Sequence, residues 1–317
     1  MGRAALYGVV FLAGFLGFML LGIAVLGLEG YGLADYAKLA DRVIRWSGVG
    51  ALASIAVIGF DFFFLSNLGR AKRVVRYEPL SSMTVGVGLT AYNDEKAIGG
   101  AVKDFKQNLG GGKLVDLVVV DNNCTDRTAE VAKKAGARVV RETKQGYGHA
   151  CMRALSEAAG EKKPDVVILC EGDGTFSAAD AKKLLAYIEN ADMVVGTRTV
   201  VEVLDPDSQV DWFINWGNKF IARMLQMRHW GSVRLSDVGC TYRAIRRDAL
   251  ERIMPNLKQG GNSFSPHMLL VALDEGLTVI EAPVTFRQRV GESKGVGNKK
   301  VKGFGVGLAM LWHIFTE

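Results

Sequence analysis

The chain has 317 residues, 49% of them hydrophobic, and a formal net charge of +6. That length allows one large domain, or a domain of about 200 residues with appendages, and the hydrophobic share is high for a wholly water-soluble protein. The basic balance carries no aromatic-interleaved stripe and no known nucleic-acid module, so it points to anionic lipid headgroups and phosphates and away from nucleic acid.

The first predicted element runs from Ala4 to Leu28 without a charged residue, long enough to cross a hydrocarbon core of about 30 Å as a helix. The alternative is a cleaved signal peptide, but the apolar run is too long for one and Leu26-Gly27-Leu28-Glu29 is a poor cleavage site. A second apolar run, Ser47 to Leu68, is interrupted only by Asp61 near its C-terminal end, where an acid can sit at a membrane interface. The competing reading of this run is a helix packed on a globular domain. Between the two lies Glu29 to Trp46, whose charges nearly balance; Arg3 precedes the first run, and Arg70, Lys72, Arg73 and Arg76 follow the second. The positive-inside rule places both ends of such a hairpin, and everything after Arg70, in the cytoplasm. The expected organisation is an integral membrane protein with a two-helix anchor over residues 1–70 (helices about 4–28 and 47–68), a soluble domain over 71–295 and a basic, apolar segment over 296–317.

From Met83 the pattern changes. Strands are predicted over Thr84–Leu89, Leu114–Val120, Arg138–Arg141, Asp165–Leu169 and Met193–Gly196, continuous apolar runs that suit a sheet buried on both faces. Helices are predicted over Asp94–Leu109, over Asp126–Ala135 with Thr125 or Asp126 as cap and Gly136 as stop, and over His149–Ala159. This alternation predicts a doubly wound, Rossmann-like α/β domain, in which ligands collect at the carboxyl ends of the strands. Cys124, Cys151, Cys170 and Cys240 form no CxxC pair, which argues against a zinc site.

The polar motifs fall where that rule wants them. Thr90-Ala91-Tyr92-Asn93-Asp94-Glu95 follows the first strand, Val120-Asp121-Asn122-Asn123-Cys124-Thr125-Asp126-Arg127-Thr128 the second, and Glu171-Gly172-Asp173-Gly174 the fourth. Lys144 to Ala150 is a Gly-rich run with Gly146 and Gly148 at a helix start, and Val195-Gly196-Thr197-Arg198 follows the fifth strand. Asp121 at a strand end can accept a hydrogen bond from a nucleobase, or it can simply cap the following turn. Asp126 reads better as a helix cap. Arg198 can hold a phosphate in a forked geometry.

With these residues in view, the chain resembles a family 2 glycosyltransferase of the GT-A fold, over roughly Thr84 to Lys294, and is similar in pattern to polyprenyl-phosphate sugar synthases such as dolichyl-phosphate mannose synthase. Ala91 to Glu95 resembles the family's P-x-Y-N-E-x, and Val120 to Thr128 its V-D-D-G-S-T-D-x-T. Glu171-Gly172-Asp173 stands where the family has Asp-x-Asp, with Glu in place of the first Asp. Leu235 to Arg243 resembles D-x-x-S-G-F-R. Phe286-Arg287-Gln288-Arg289-Val290-Gly291-Glu292-Ser293-Lys294 resembles F-R-x-R-x-x-G-x-S-K, with one residue fewer before Gly291.

The resemblance implies a donor site for a nucleotide-sugar built from Ala91, Tyr92, Asn93, Glu95, Asp121, Asn123, Gly146, Glu171 and Gly172. It implies Mg²⁺ or Mn²⁺ held by Asp173, with Glu171 as a second metal ligand or a ribose contact, since hard carboxylates suit these ions and the metal bridges the donor's phosphates. Asp173, Asp237 and Arg198 are the expected catalytic residues, with Asp237 a candidate base for a hydroxyl acceptor. Arg198, Arg223, Arg287, Arg289, Ser293 and Lys294 are expected to bind the phosphate of a polyprenyl phosphate or other lipid acceptor. A phosphate acceptor is already anionic and needs positioning cations more than a base. The expected reaction is therefore inverting transfer of a sugar from a UDP- or GDP-sugar to a polyprenyl phosphate at the cytoplasmic membrane face. The alternatives are transfer to a lipid or polysaccharide hydroxyl through Asp237, or a non-catalytic membrane scaffold that binds nucleotide-sugar. Trp212, Phe213, Trp216, Phe220 and Trp230, with Arg223 and Arg228 among them, are divided between a core face and a membrane interface. Gly303 to Phe315 is too short to span and suits an interfacial helix.

Overall fold

A computed structural model describes residues 3–27, 37–63, 77–79, 83–208, 212–229, 233–290, 305, 307–312 and 314. These fall into two compact units, one built on the N-terminal helices and one on the sheet.

The first unit is a helical hairpin of α1 (Arg3–Gly27) and α2 (Ala37–Phe63). Helix α2 begins ten residues earlier than the apolar run suggested, because the near-balanced segment from Ala37 to Trp46 is itself helical: Asp41 and Arg45 pair across one turn at 2.9 Å. Glycines set the contact between the helices. A Cβ on Gly8 would meet Ile58 Cγ1 at 2.6 Å and one on Gly22 would meet Ile44 Cγ1 at 2.8 Å, so the backbones approach where α1 carries no side chain. Both helices are long and apolar enough to cross a membrane, and only 6% and 11% of their apolar windows are buried. Asp61 is buried within this unit.

The second unit is a seven-stranded sheet in the order β3-β2-β1-β4-β6-β5-β7. Its strands are β1 (Val85–Ala91), β2 (Leu114–Asp121), β3 (Arg138–Arg141), β4 (Val166–Glu171), β5 (Met193–Thr197), β6 (Arg243–Arg246) and β7 (Val279–Pro283). The helices are α3 (Ile98–Asn108), α4 (Thr128–Lys134), α5 (Tyr147–Ala159), α6 (Ala181–Ile188), α7 (Trp212–Arg228), α8 (Arg247–Ile253) and α9 (Phe264–Asp274). The five expected strands are present within two residues at each end. Strand β1 is buried along its whole length, as a central strand covered on both faces must be.

The sheet is mixed, as the α/β expectation allows. Strand β6 runs antiparallel to both neighbours, with Leu169 opposite Arg243 and Val195 opposite Arg243. Parallel pairing sets Thr90 level with Glu171 and Ala91 level with Asp121. The carboxyl ends of β1, β2, β4 and β5 thus share one edge with the amino end of β6, and every polar motif emerges there.

Helix starts are corrected by the same loops. Residues 94–97 form a turn, so α3 starts at Ile98; the Asp94 carboxylate bonds back to Tyr92 N–H at 3.0 Å. Helix α4 starts at Thr128 with Arg127 at its N-cap and no side-chain cap bond, so neither Thr125 nor Asp126 is the cap; the Asp126 carboxylate instead closes a turn, accepting from the backbone N–H and hydroxyl of Thr128 at 3.0 and 2.5 Å.

Candidate active site

The shared edge opens into a cleft of about 500 Å³. Its floor comes from the ends of β1 and β4, one wall from Asn122 and the Gly-rich loop, and the other from Arg198, Gly239 and Arg289; Met310 stands at its border.

The Gly-rich loop is shaped by contacts to its own domain. Asn122, buried just past β2, donates to the carbonyls of Glu142 and Lys144 at 3.2 and 2.8 Å and accepts from Gly146 N–H at 3.0 Å. Gly146 has φ +148°, and a Cβ on Gly148 would lie 2.0 Å from the carbonyl oxygen of Gln259. Both positions require glycine.

Glu171 ends β4 and Asp173 follows it. Asp173 is buried, and its Oδ1 accepts from Thr175 N–H and hydroxyl at 3.1 and 2.6 Å. Its Oδ2 faces Arg289 Nη1 at 3.2 Å. Glu171 accepts from the Thr241 hydroxyl at 2.5 Å. Burial, and then the nearby negative charge of Asp173, push the Glu171 carboxyl up to about 7. Arg289 bridges two acids, reaching Asp94 at 3.0 Å as well as Asp173. Its Nε–H is buried without a hydrogen-bond partner among the described residues, a donor that a phosphate oxygen can take.

Asp237 is held by Arg198. Its side chain is 0% exposed, and its two oxygens take Arg198 Nε at 2.8 Å and Nη2 at 3.0 Å, together with the N–H groups of Arg198 and Gly239. Burial alone would raise this carboxyl, but the Arg198 charge and these bonds outweigh it and hold the group below the usual carboxylate range. The carboxylate expected as a base is thus fully engaged by Arg198 and two backbone N–H groups in this structure. The pair instead aims Arg198, whose guanidinium lies 5.4 Å from the Phe286 ring centroid, at the cleft.

Of the expected donor residues, Ala91, Tyr92, Gly146 and Glu171 line the cleft. Gly172 lies beneath it, where a Cβ would meet Ile98 Cδ1 at 2.4 Å. Asn93, Glu95, Asp121 and Asn123 instead tie loops together. Asn93 accepts from Thr125 N–H at 2.7 Å, Glu95 from Arg127 N–H at 3.1 Å and Asp121 from Cys124 N–H at 2.7 Å, while Asn123 donates to the Thr143 carbonyl at 3.0 Å. Among the acceptor cations, Arg198 and Arg289 reach the cleft. Arg223 is exposed on α7 and donates to Gln226 at 3.1 Å, and Arg287 is exposed and donates to the Ser177 hydroxyl at 3.0 Å; neither lines the cleft. Ser293 and Lys294 lie outside the described residues, as does Trp230. Asp94, Asn122, Tyr147, Asn262 and Ser265 line the cleft without having been singled out as site residues. Asp94 and Asn122 sat inside the quoted motifs, whereas Asn262 and Ser265 carried no motif at all.

No group of three or more potential metal-ligating side chains occurs among the described residues. Two hard carboxylates facing a cleft with phosphate-seeking donors fit a Mg²⁺ or Mn²⁺ ion that completes its shell with diphosphate oxygens and water. Such binding removes the proton that Glu171 holds below about pH 7. Affinity for Mn²⁺ should therefore rise with pH up to about 7 and then level off. Calorimetry in buffers of different ionisation enthalpy should find proton release at pH 6 and almost none at pH 8, and Glu171→Gln should abolish the difference.

Comparison with known proteins agrees with this geometry. Residues 87–254 match the family described as Glycosyl transferase family 2. The chain is 29% identical over 212 residues to the low-salt glycan biosynthesis hexosyltransferase Agl6 of Haloferax volcanii, covering 66% of this chain but only 49% of that protein, so it spans about half the length of this relative. It is 29% identical over 210 residues to a dolichyl-phosphate hexose transferase of the same organism, covering 66% of this chain and 86% of the relative. The fold matches a crystal structure of glucosyl-3-phosphoglycerate synthase from Mycobacterium tuberculosis, in complex with Mn²⁺, UDP and glucosyl-3-phosphoglycerate, with a TM-score of 0.55, 20% identity, and coverage of 74% of this chain and 80% of that one. The family match alone spans more than half of the chain, and on it this protein belongs to glycosyl transferase family 2, as a glycosyltransferase of GT-A fold.

Proposed function

We propose that the protein transfers a sugar, with inversion, from a UDP- or GDP-sugar to a polyprenyl phosphate at the cytoplasmic face of a membrane. The observation that carries this reading is the engagement of Asp237: the acid best situated by sequence to activate a hydroxyl is forked onto Arg198. A cleft with cations on its wall suits an acceptor that is already a nucleophile. A phosphate monoester qualifies, since its second ionisation lies near about 6.

In this mechanism Tyr92, Ala91, Asn122 and Gly146 receive the nucleoside part of the donor. Asp173 and Glu171 would hold a divalent metal at the donor site. The metal, when bound, neutralises charge on the departing nucleoside diphosphate. Arg198, stiffened by Asp237 and Phe286, holds the acceptor phosphate in line. One of its oxygens forms the new bond to the anomeric carbon as the bond to the diphosphate breaks, and the electron pair leaves with the diphosphate. No proton need be removed from the nucleophile. Arg289 exchanges its contact to Asp173 for the phosphates as these arrive.

The anchor reading follows from charge and apolarity. The exposed faces of α1 and α2 are matched by a bilayer, and the basic residues at both ends of the hairpin favour a cytoplasmic catalytic domain. The described helical residues 307–312 bring Met310 to the cleft border, an apolar neighbour for a lipid tail. Trp216 and Phe220 stack at 5.4 Å on the exposed face of α7, which suits an interfacial position. The related dolichyl-phosphate hexose transferase supports a lipid-phosphate acceptor class.

The test is incubation of the purified full chain with a panel of UDP- and GDP-sugars, Mg²⁺ or Mn²⁺, and polyprenyl phosphate, scored by the mass of the lipid. One donor should add one sugar to the lipid. No gain with any donor, alongside transfer to a hydroxyl acceptor, would overturn the reading.

A further inference from the structure

We infer that Thr241, backed by Tyr147 and Ser265, is a positioning residue that fixes the Glu171 carboxylate at the metal–diphosphate site, so that Glu171 and Thr241 act as one unit. The inference rests on the reading of Glu171 and Asp173 as the metal-holding pair.

Topology brings the two together. Leu169 pairs with Arg243 in the antiparallel β4–β6 ladder, and continuing that register by two residues sets Glu171 beside Thr241. The Thr241 hydroxyl lies 2.5 Å from Glu171 Oε1. It also bonds the Tyr147 phenol, which in turn lies 3.1 Å from the Ser265 hydroxyl. When Glu171 is ionised it only accepts, so Thr241 donates to it. The oxygen of Thr241 then accepts from Tyr147, and that of Tyr147 from Ser265. The chain of donors has one direction and ends on the carboxylate, an arrangement in which each bond polarises the next. Its members are held: Thr241 is 1% exposed, and the Tyr147 ring packs edge-on against Phe264 at 6.4 Å.

The same two residues are departures from the motifs the chain resembles. Glu171 stands where the Asp-x-Asp pattern opens with Asp, and Thr241 where D-x-x-S-G-F-R has Gly. Each departure answers the other. The extra methylene of Glu171 carries Oε1 to the hydroxyl, and the hydroxyl restrains a longer carboxylate that would otherwise sample several rotamers. One oxygen is occupied by Thr241, so the other is the one presented to a metal.

The test is calorimetric titration of Mn²⁺ into the full chain in detergent, with saturating UDP and separately with saturating GDP. Thr241→Val should weaken Mn²⁺ binding about tenfold, the scale of a lost outer-shell bond, and Thr241→Ser should restore it. Should Val fail to fold, Thr241→Ala removes the same donor. Glu171→Asp should also lose about tenfold, because the shorter acid no longer reaches Thr241. The double variant should lose about tenfold and not a hundredfold, since both changes break one contact. Unchanged affinity in Thr241→Val, or additive losses in the double variant, would overturn the inference. Asp173→Ala separates the two levels. If it leaves Mn²⁺ binding intact, the metal-site reading itself fails. If it abolishes binding while Thr241→Val binds normally, only the positioning role fails.

Discussion

Asp173→Asn should lower the rate of sugar transfer about a thousandfold, or about 4 kcal/mol of transition-state stabilisation, while leaving the fold in place. The amide oxygen can still accept from Thr175 N–H and its hydroxyl, the contacts that fix the side chain. What disappears is the negative charge that faces Arg289 and the cleft. Loss of rate should therefore come with loss of Mn²⁺ binding, and with an unfolding midpoint shifted by only a few degrees because Arg289 keeps its second acid, Asp94, at 3.0 Å. The result also decides against a membrane scaffold that binds nucleotide-sugar without turnover, because such a protein has no rate to lose. Steady-state rates over a range of Mn²⁺ concentrations check it. An unchanged rate would remove the acidic pair from the chemistry.

The second large effect is expected at Asp237, and it is one of stability and binding together. Asp237→Asn removes the charge beneath Arg198 in a pair whose side chains are 16% and 0% exposed. Breaking one partner of a buried ion pair costs about 3–5 kcal/mol, so the variant should melt well below the native protein. Its cleft should also bind nucleoside diphosphate and lipid phosphate more weakly, because Arg198 is no longer held on the Phe286 face. A general base behaves differently: its loss lowers turnover and leaves stability and donor binding intact. Denaturation and binding measured on the same preparation distinguish the two, and the second pattern would restore Asp237 as a base.

Much of this architecture is legible in the sequence because the buried parallel strands are uninterrupted apolar runs. Val85 to Leu89, Leu117 to Val120 and Val166 to Leu169 leave no ambiguity of period, and the polar motif after each marks the working edge of the sheet. Strand β6 was missed because it is short, with Arg243 and Arg246 at its ends. Its arginines are buried by bonding backbone carbonyls, Cys240 and Val238 for one and Ala191 and Ile188 for the other. Helix α9 was missed for the opposite reason. It is buried from Phe264 to Leu273, and a helix apolar on every side has no amphipathic stripe to read.

The site divides along the same line. Residues immediately after a strand, such as Glu171, Asp173 and Arg198, could be placed by chain order alone. Partnerships across the sheet could not. That Asp237 belongs to Arg198, Thr241 to Glu171 and Arg289 to both Asp94 and Asp173 depends on β6 running antiparallel and on the late loop folding back over the cleft, neither of which has a local signal. The cations of the late motif illustrate the point: Arg287 and Arg289 are two residues apart and point differently, one onto Ser177 and one into the cleft.

On the proposed mechanism the acceptor is a phosphate, and no base is needed to activate it. Polyprenyl phosphate and the matching polyprenol, offered separately to the full chain with the same nucleotide-sugar and Mn²⁺, test it most directly, with the product followed by mass and by ³¹P resonance. Only the phosphate should be glycosylated, its phosphomonoester signal giving way to that of a diester. Transfer of sugar to polyprenol, with the phosphate left as a monoester, would contradict it.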